Sequence, residues 1–269
     1  MEYEAFYRLA MFAGILMAMG VLELWLPKRD LRLKRQQRWL TNLSFAGVNS
    51  VLVRLMALSS VPLVAMSVAA FAGQYEVGLF AWVGLPFWLE LIAALLLLDF
   101  AIYVQHWASH KFSLLWRIHQ VHHTDLDIDV TTAVRFHPIE IGLSMLYKVV
   151  LVLVFGIDPL AVLLFEILLN GCALFNHSNV ALPLWLDRLL RLVLVTPDMH
   201  RVHHSIKRDE TDSNYGFNLA IWDRLFGTYI DQPEAGHEAM KIGLPAYYET
   251  EAPSRFRWSL WLPFRGASE

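Results

Sequence analysis

Residues 79–123 read LFAWVGLPFWLELIAALLLLDFAIYVQHWASHKFSLLWRIHQVHH. The apolar stretch Leu79–Ile102 is long enough to cross a bilayer, which takes about 20 residues as a helix. It leads directly into His106 and His110, which stand one helical turn apart. The sequence therefore predicts a transmembrane helix that continues out of the membrane and carries histidines. A second cluster follows at once, made of His119, His122 and His123.

A third cluster repeats the spacing of the second, with His200, His203 and His204. Imidazole is the commonest metal ligand in proteins and suits iron, zinc and copper. Residues at i, i+3 and i+4 share one helix face, so each cluster can aim its rings at one place. Adjacent histidines diverge by one helical step, so a single triplet can reach two metals. Because eight imidazoles are too many for one ion, the sequence predicts a two-metal site.

Two more histidines are candidate ligands because they flank an apolar hairpin on its histidine side. His137 precedes the hairpin in the segment RFHP, and His177 follows it in the segment NHSN. His237 lies in a glycine-flanked polar loop and is expected to be exposed to solvent. Carboxylates near the clusters are either acceptors that orient ring N–H groups or solvated charges. They are Asp127, Asp129, Glu140 and Asp198.

The composition indicates an integral membrane protein. Of the 269 residues, 56% are hydrophobic and only 17% are charged, whereas soluble domains have about 45–50% and about 25%. The mean hydropathy is +0.41. A net charge of −3 gives no sign of nucleic-acid binding. The single cysteine, Cys172, rules out an intramolecular disulfide and a cysteine-based metal site, so histidines must carry any metal.

The first apolar segment, Leu9–Leu26, is expected to remain as an anchor. The start of the chain is acidic, and no small-residue cleavage site follows the segment. A basic run comes next, made of Lys28, Arg29, Arg32, Lys34, Arg35 and Arg38. Positive residues favour the cytoplasmic side of a membrane, which places this loop inside. The run also fits an amphipathic helix lying on anionic lipid.

The remaining apolar segments are predicted at three places. Leu43–Ala72 is the second, in which Leu55–Gly73 alone is long enough and Arg54 reaches the interface. Leu79–Ile102 is the third. The fourth is a hairpin of two halves, Ile141–Phe155 and Leu160–Phe175, because the linking Gly-Ile-Asp-Pro favours a turn.

This order of segments places all three histidine clusters on one face of the membrane. With the basic loop in the cytoplasm, the second segment crosses to the outside and the third crosses back. The hairpin enters and leaves the membrane on the cytoplasmic side. We expect an all-α, multi-pass protein of the inner or cell membrane, with about four transmembrane or hairpin segments and a cytosolic histidine-rich helical cap. Its regions are anchor helices with the basic loop (1–98), the histidine region with hairpin 141–175 (99–230), and an aromatic and basic interfacial tail (231–269), within one domain.

In these motifs the chain resembles the fatty acid hydroxylase superfamily, which includes sterol desaturases. The three histidine boxes, the short gap 111–118 between the first two, and the segments 214–216 and 222–229 are typical of it. The resemblance covers roughly residues 99–229. It implies a non-haem di-iron centre on the cytosolic face and O2-dependent hydroxylation or desaturation of a lipid. One branch has a further histidine at the position of Ala173, and His137 is the candidate to replace it here.

The predicted function is therefore a membrane lipid oxygenase acting on a sterol, fatty acyl chain or related lipid. It would use two iron ions, for which zinc could substitute, with no catalytic residue beyond the metal ligands. An external electron donor of cytochrome b5 or ferredoxin type, with its reductase, is expected, because the chain has no nucleotide-binding glycine motif and no cysteine cluster.

Two other functions are compatible with the same histidines. One is a membrane zinc hydrolase that uses a metal-activated water, and the other is a non-catalytic metal binder or transporter. Transporters place ionisable ligands within their spans, whereas these clusters lie just outside, which favours an enzyme. Trp107, Phe112 and Trp116 are candidates for lining a lipid cleft, with core or interfacial packing as the alternative.

Overall fold

The structure is a computed structural model that describes residues 4–61 and 63–265. Within these ranges the chain forms helices and turns, and no β-strand. The α-helices are α1 (Glu4–Trp25), α2 (Arg35–Ala57), α3 (Ala65–Tyr75), α4 (Leu79–Val83), α5 (Phe87–Lys111), α6 (Ser113–His123), α7 (Pro138–Phe155), α8 (Pro159–Asn176), α9 (Leu184–Leu190), α10 (Pro197–His203), α11 (Arg208–Thr211), α12 (Ile221–Leu225), α13 (Gly236–Ala239) and α14 (Phe256–Trp261). Short 3-10 helices cover Val130–Val134, Pro245–Tyr247, Ala252–Ser254 and Leu262–Phe264.

Five helices are long and apolar enough to cross a membrane: α1, α2, α5, α7 and α8. The predicted all-α class is confirmed, and the continuation of one span into His106 and His110 is the last part of α5. The prediction for the second segment was wrong. The helix there is α2, which ends at Ala57, and α3 is a separate helix of 11 residues.

The error in the second segment has a physical reason in the burial of polar residues. Along α2 the side chains of Arg38, Thr41, Asn42 and Asn49 are buried. They lie against polar groups elsewhere in the protein, so a polar sequence here does not mean an aqueous surface. A hydropathy pattern cannot separate these two situations, and it placed the span too late in the chain.

The predicted hairpin is formed by α7 and α8, whose ends follow local capping rules. α7 has Pro138 at its first position and ends at Gly156 with a φ of +66°, a conformation that favours glycine. The Asp158 side chain accepts a hydrogen bond from the backbone N–H of Leu160 at 2.7 Å and caps α8. Each helix has 18 residues, or about 27 Å at 1.5 Å per residue. Both therefore have their histidine-side ends at one level.

The segment that precedes α4 packs directly against the turn of the hairpin. A side chain on Gly156 would meet the carbonyl oxygen of Val77 at 2.4 Å, and one on Gly78 would meet the backbone nitrogen of Gly156 at 2.2 Å. Only glycine permits this approach of two backbones. The segment before α5 is thus tied to the far end of the hairpin.

A buried carboxylate on α1 binds the two segments that flank the histidine-side end of the hairpin. Oε1 of Glu23 accepts hydrogen bonds from the backbone N–H groups of Val130 and Asn179, both at 2.7 Å. Within the hydrocarbon region Glu166 of α8 pairs with Lys148 at 2.9 Å and with Arg8. Charged groups inside a span are costly unless paired, and these pairings join α1, α7 and α8.

α2 is anchored by the fully buried Arg38. Its guanidinium donates to Asp125 at 2.7 and 2.8 Å and to Asp129 at 2.5 Å. Those carboxylates lie in the segment that leaves α6 just after its last histidine. A basic residue that the sequence assigns to the cytoplasmic loop therefore has an internal role, which is to fix the chain beyond His123.

The C-terminal tail packs on α2 and α6. The rings of Phe45 and Phe256 stand 4.9 Å apart, and the buried Arg135 donates to the carbonyl oxygens of Val121 and Pro253 at 2.8 and 2.7 Å. Trp261 and Phe264 remain more than half exposed. Aromatic side chains of this kind suit a membrane interface, and the interfacial character of the tail stays a prediction.

We predict that Arg38→Met destabilises the protein by about 3–5 kcal/mol, because it leaves two buried carboxylates without their cation. Lys34→Met is the matched control, since Lys34 is exposed and its replacement is expected to change stability by less than about 0.5 kcal/mol. The measurement is the unfolding midpoint of both variants in one detergent. Equal midpoints for the two variants would show that Arg38 does not anchor α2.

Candidate metal centre

Nine histidines converge in the structure and form two adjacent groups. The five-histidine group contains His106, His110, His119, His123 and His203. The four-histidine group contains His122, His177, His200 and His204. In each group the available ring nitrogens lie within 4.8 Å of one another. All nine side chains are buried, with at most 5% exposed. The eight box histidines and His177 are thus brought together.

Helical geometry divides the neighbouring histidines between the two groups. His122 and His123 are adjacent on α6 but belong to different groups, and the same holds for His203 and His204 at the end of α10. α10 starts at a proline behind Thr196, whose hydroxyl accepts from the N–H of Met199 at 3.3 Å. A short, well-capped helix thus serves both groups.

Hydrogen bonds on the outer ring nitrogens set the orientation of several rings. Each of these Nδ1 atoms contacts an oxygen, which leaves Nε2 directed inward. The pairs are His106 with the carbonyl of Tyr215 (2.8 Å), His203 with that of Ser213 (2.7 Å), His177 with that of Ala173 (2.8 Å), and His119 with the carboxylate of Glu140 (2.6 Å). Metal-binding histidines almost always donate their second N–H in this way.

The inward nitrogens test whether a metal would fit. Nε2 of His106, His119, His123 and His203 is buried and has no hydrogen-bond partner in the protein. The same holds for both ring nitrogens of His110 and His204. Buried polar atoms are normally paired, because leaving them unpaired costs free energy. A converging set of unpaired imidazole nitrogens fits metal ions, and the donor type suits iron, zinc or copper.

The spacing within the four-histidine group also fits one ion. Nε2 of His177 lies 3.1 Å from Nε2 of His122 and 3.0 Å from Nε2 of His200. Two nitrogens that are each about 2.0–2.1 Å from a metal, at an angle of about 90–109°, are about 2.9–3.4 Å apart. The observed distances fall in that interval.

Burial keeps six of the nine imidazoles neutral. It lowers the pKa of His203 to about 3 and that of His177 to about 4. It also lowers the pKa of four further rings well below the usual value, those of His122, His123, His200 and His204. Neutral imidazole is the form that binds metal, so the rings need not lose protons on binding at physiological pH.

The structure places His137 outside both groups. Its Nδ1 accepts from the N–H of Ile139 at 3.2 Å and so caps α7, and its Nε2 donates to the carbonyl of Leu260 at 3.1 Å. Both ring nitrogens are therefore occupied by backbone groups. Ala173, the position at which one branch of the resembled superfamily is expected to have a further histidine, is buried and supplies the carbonyl that orients His177.

The expectation for His237 was wrong, because its side chain is only 8% exposed. Its Nε2 lies 3.7 Å from Asp198, and burial lowers the pKa of His237 to about 4. Asp198 also pairs with Lys28 at 2.7 Å and with Arg201. The loop packs against α10, so His237 is buried although the sequence around it is polar.

The nearby carboxylates are engaged in the structure rather than free in solvent. Glu140 contacts the ring of His119, as described. Asp127 accepts from the backbone N–H groups of Arg32 and Leu33 at 3.0 and 2.9 Å. Asp129 accepts from Arg38 and caps the 3-10 helix that follows it. Of the four, only Glu140 contacts a member of the histidine groups.

Tyr215 belongs to the site although the sequence analysis named it only within a motif. It is fully buried, its hydroxyl has no partner in the protein, and its ring packs 5.2–5.8 Å from those of His106, His110 and His203. Asp223 holds the segment by accepting from the N–H of Tyr215 at 2.7 Å. The motif Asn-Tyr-Gly was the available signal for this residue.

A cavity of about 290 Å³ adjoins the centre between α5, α6 and α7. It is lined by Val104, Gln105, Ala108, Ser109, Leu115, Ile118, Glu140, Leu143, Ser144 and Tyr147. Gln105 and Ser109 directly precede histidines of the five-histidine group, and Glu140 contacts another. The lining is mostly apolar with a few polar groups, as in small-molecule sites generally. Trp107, Phe112 and Trp116 are not part of it.

The fold and the two buried groups define a helical membrane protein with two adjacent sets of histidines, each of which could hold a metal ion. The fatty acid hydroxylase family matches residues 91–228, just over half of the chain. This chain therefore belongs to that family. No solved structure gives a significant match to it.

Curated relatives are enzymes that act on lipids. Alkylglycerol monooxygenase of Homo sapiens is 33% identical over 179 residues, which cover 64% of this chain and 38% of that protein. Ornithine lipid hydroxylase OlsE of Rhizobium tropici is 32% identical over 149 residues, covering 55% of this chain and 44% of that protein. A cholesterol 25-hydroxylase-like protein of Danio rerio is 29% identical, covering 52% and 55%. The aligned regions thus span less than two thirds of these relatives.

We predict that His177→Ala lowers the bound metal by about one ion per chain, because it removes one of four ligands from one group. His137→Ala is the matched control and is expected to retain the metal, since His137 contacts only backbone groups. Metal analysis of both purified variants by mass spectrometry gives the comparison. Metal loss in His137→Ala with retention in His177→Ala would reverse the assignment.

Proposed function

We propose that this protein is a membrane-bound, O2-dependent lipid hydroxylase that holds two iron ions. The observation that carries the proposal is the pair of adjacent, buried groups of five and four histidines, in which six of the nine Nε2 atoms have no hydrogen-bond partner in the protein. The named activities of the relatives, monooxygenase and hydroxylase, support the same reaction class. They favour hydroxylation over desaturation.

The nine histidines would hold the metals, one ion in each group. Two ferrous ions bound there would supply the activation of O2 and the removal of hydrogen from an unactivated C–H bond. Overall, the reaction is RH + O2 + 2e⁻ + 2H⁺ → ROH + H2O. The electrons come from an external donor. The protein contributes a site from which bulk water is excluded and ligands whose outer nitrogens are fixed by carbonyl groups and by Glu140.

The cavity between α5, α6 and α7 is the proposed site for the lipid chain. Its walls include the outward-facing Leu143 of α7, so an apolar chain can enter from the bilayer. Gln105 and Ser144 lie together in its wall, where the Ser144 hydroxyl donates to Oε1 of Gln105 at 3.2 Å. These polar groups stand beside the five-histidine group, where an oxygen-bearing part of the lipid would find hydrogen bonds.

The number of histidines weighs against the zinc hydrolase. A catalytic zinc usually has three protein ligands and keeps a fourth position for water, whereas the two groups offer five and four imidazoles. A transporter is disfavoured because seven of the nine histidines lie outside the candidate spans, and the other two, His106 and His110, lie in the last two turns of α5.

The first test of this function compares the lipids of cells with and without the gene by mass spectrometry. The second assays the purified protein with iron, reductant and ¹⁸O2. We predict a product that gains one oxygen atom, labelled from ¹⁸O2, only when reductant and iron are present. His122→Ala is expected to abolish the product, because it removes a proposed ligand. A product formed without O2 by the zinc-loaded protein would instead establish the hydrolase.

We also propose that the histidine face is cytoplasmic, as the basic residues between α1 and α2 indicate. In a Cys172→Ser background, Asp209→Cys should be protected from a membrane-impermeant maleimide added to intact cells. Glu76→Cys is the control and should be labelled, since it lies in the exposed segment before α5 on the opposite side. The reverse labelling pattern would invert the topology.

A further inference from the structure

Trp116 connects the five-histidine group with the surface. It stands on α6, half-buried, with its ring 5.0 Å from that of His110, 5.6 Å from that of His123 and 6.3 Å from that of His119. It is a member of neither histidine group and does not line the cavity. One side chain therefore touches three proposed ligands of the same metal while its other side faces outward.

An exposed residue, Arg208, stacks on the outward side of Trp116. The guanidinium of Arg208 lies 5.0 Å from the centre of the indole ring, and 56% of the Arg208 side chain is exposed. Its Nη2 also donates to the carbonyl oxygen of His110 at 3.3 Å. Arg208 and the Trp116 ring thus lie between solvent and the proposed ligands.

Positive charge predominates around this point. Lys111, Arg117 and Arg265 are exposed, and the Arg117 guanidinium donates to the carbonyl oxygen of Pro263 at 2.9 Å. The acidic partner here is Asp212, which lies 3.1 Å from both Lys111 and Arg208. We call this patch the Trp116 surface and define it as Lys111, Trp116, Arg117, Arg208 and Arg265.

We infer that the Trp116 surface is the docking site of an acidic, one-electron carrier protein, an inference that rests on the proposed function. Each docking oxidises one carrier by one electron, so two carriers supply the two electrons of one turnover. Transient redox complexes bury small interfaces, and complementary charge raises their association rate. A small basic patch with an aromatic residue at its centre fits such a partner.

The position of the surface also leaves the substrate path free. Leu115 and Ile118 of α6 line the lipid cavity, whereas Trp116 points to the other side of the same helix. A carrier can therefore dock while a lipid occupies the cavity. This arrangement suits a reaction in which electrons must arrive with the substrate already in place.

The binding experiment uses the iron-loaded protein in nanodiscs of zwitterionic lipid, with a soluble acidic [2Fe–2S] ferredoxin as the probe. Arg208→Glu and Lys111→Glu are each expected to raise the Kd for ferredoxin about tenfold at low salt. Lys34→Glu carries the same change of sign on the exposed residue that precedes α2 and should change the Kd less than twofold. Cytochrome c, a basic carrier, should not bind the wild type measurably.

Trp116 is tested separately, because it contributes no charge. Trp116→Leu should leave the Kd within twofold but slow the oxidation of pre-bound, reduced ferredoxin at least tenfold in stopped-flow, and Trp116→Phe should restore most of the rate. Iron content is measured in both variants. If Trp116→Leu loses iron and Trp116→Phe does not regain the rate, Trp116 is structural and its electron-transfer role is refuted.

The outcomes separate this inference from the proposed function. If ferredoxin fails to bind the wild type, or if both charge reversals leave its Kd at the Lys34→Glu value, the docking site is refuted even when product forms. If the reversals instead abolish binding of the protein to anionic vesicles, the patch is a lipid site and the inference is likewise refuted. Absence of any oxygenated product with normal ferredoxin binding would refute the proposed function alone.

Discussion

The structure depends on one constraint, which is that nine imidazoles must be buried without carrying charge. Burial lowers the pKa values of six of them, the rings of His122, His123, His177, His200, His203 and His204, so these rings stay neutral. Burial also leaves many ring nitrogens of the nine without hydrogen-bond partners. Each such nitrogen costs free energy in the absence of a partner. The site is therefore a concentration of unpaired polar atoms in the interior of the protein, and the binding of two metal ions would offset that cost. On this view, folding and metal binding are coupled.

The surrounding charges make sense as the frame for this site. Arg38, Arg135 and Glu23 are buried or nearly so, and each joins segments that are far apart in the sequence. None of them contacts the histidine groups through a side-chain hydrogen bond. They hold the segment that follows α6 and the segment that follows α8. Those two helices carry or directly precede histidines of both groups. Removing one partner of a buried pair costs far more than removing an exposed charge, so the frame is rigid where the ligands need it.

The sequence allowed good prediction of whatever depends on local geometry. The i, i+3 and i+4 spacing placed the histidines of α6 and α10 on common faces, and the Gly-Ile-Asp-Pro turn marked the hairpin. Three features depend on distant contacts and could not be obtained this way. α2 was misplaced because its polar residues are buried against other segments. His237 was expected outside because its partner, Asp198, lies far along the chain. His137 and His177 have similar positions beside the hairpin, and only the backbone groups that occupy His137 distinguish them.

The arrangement around α6 shows how one short helix can serve the proposed substrate, metals and electron carrier at once. Its 11 residues present three directions to the protein. Leu115 and Ile118 face the lipid cavity, the histidines face the two proposed metals, and Trp116 faces the basic surface. A change on one face thus need not disturb the others, since side chains about 100° apart on a helix contact different neighbours. Substrate range and carrier choice could therefore vary independently while the histidine spacing stays fixed, because only that spacing has to satisfy the geometry of the metals.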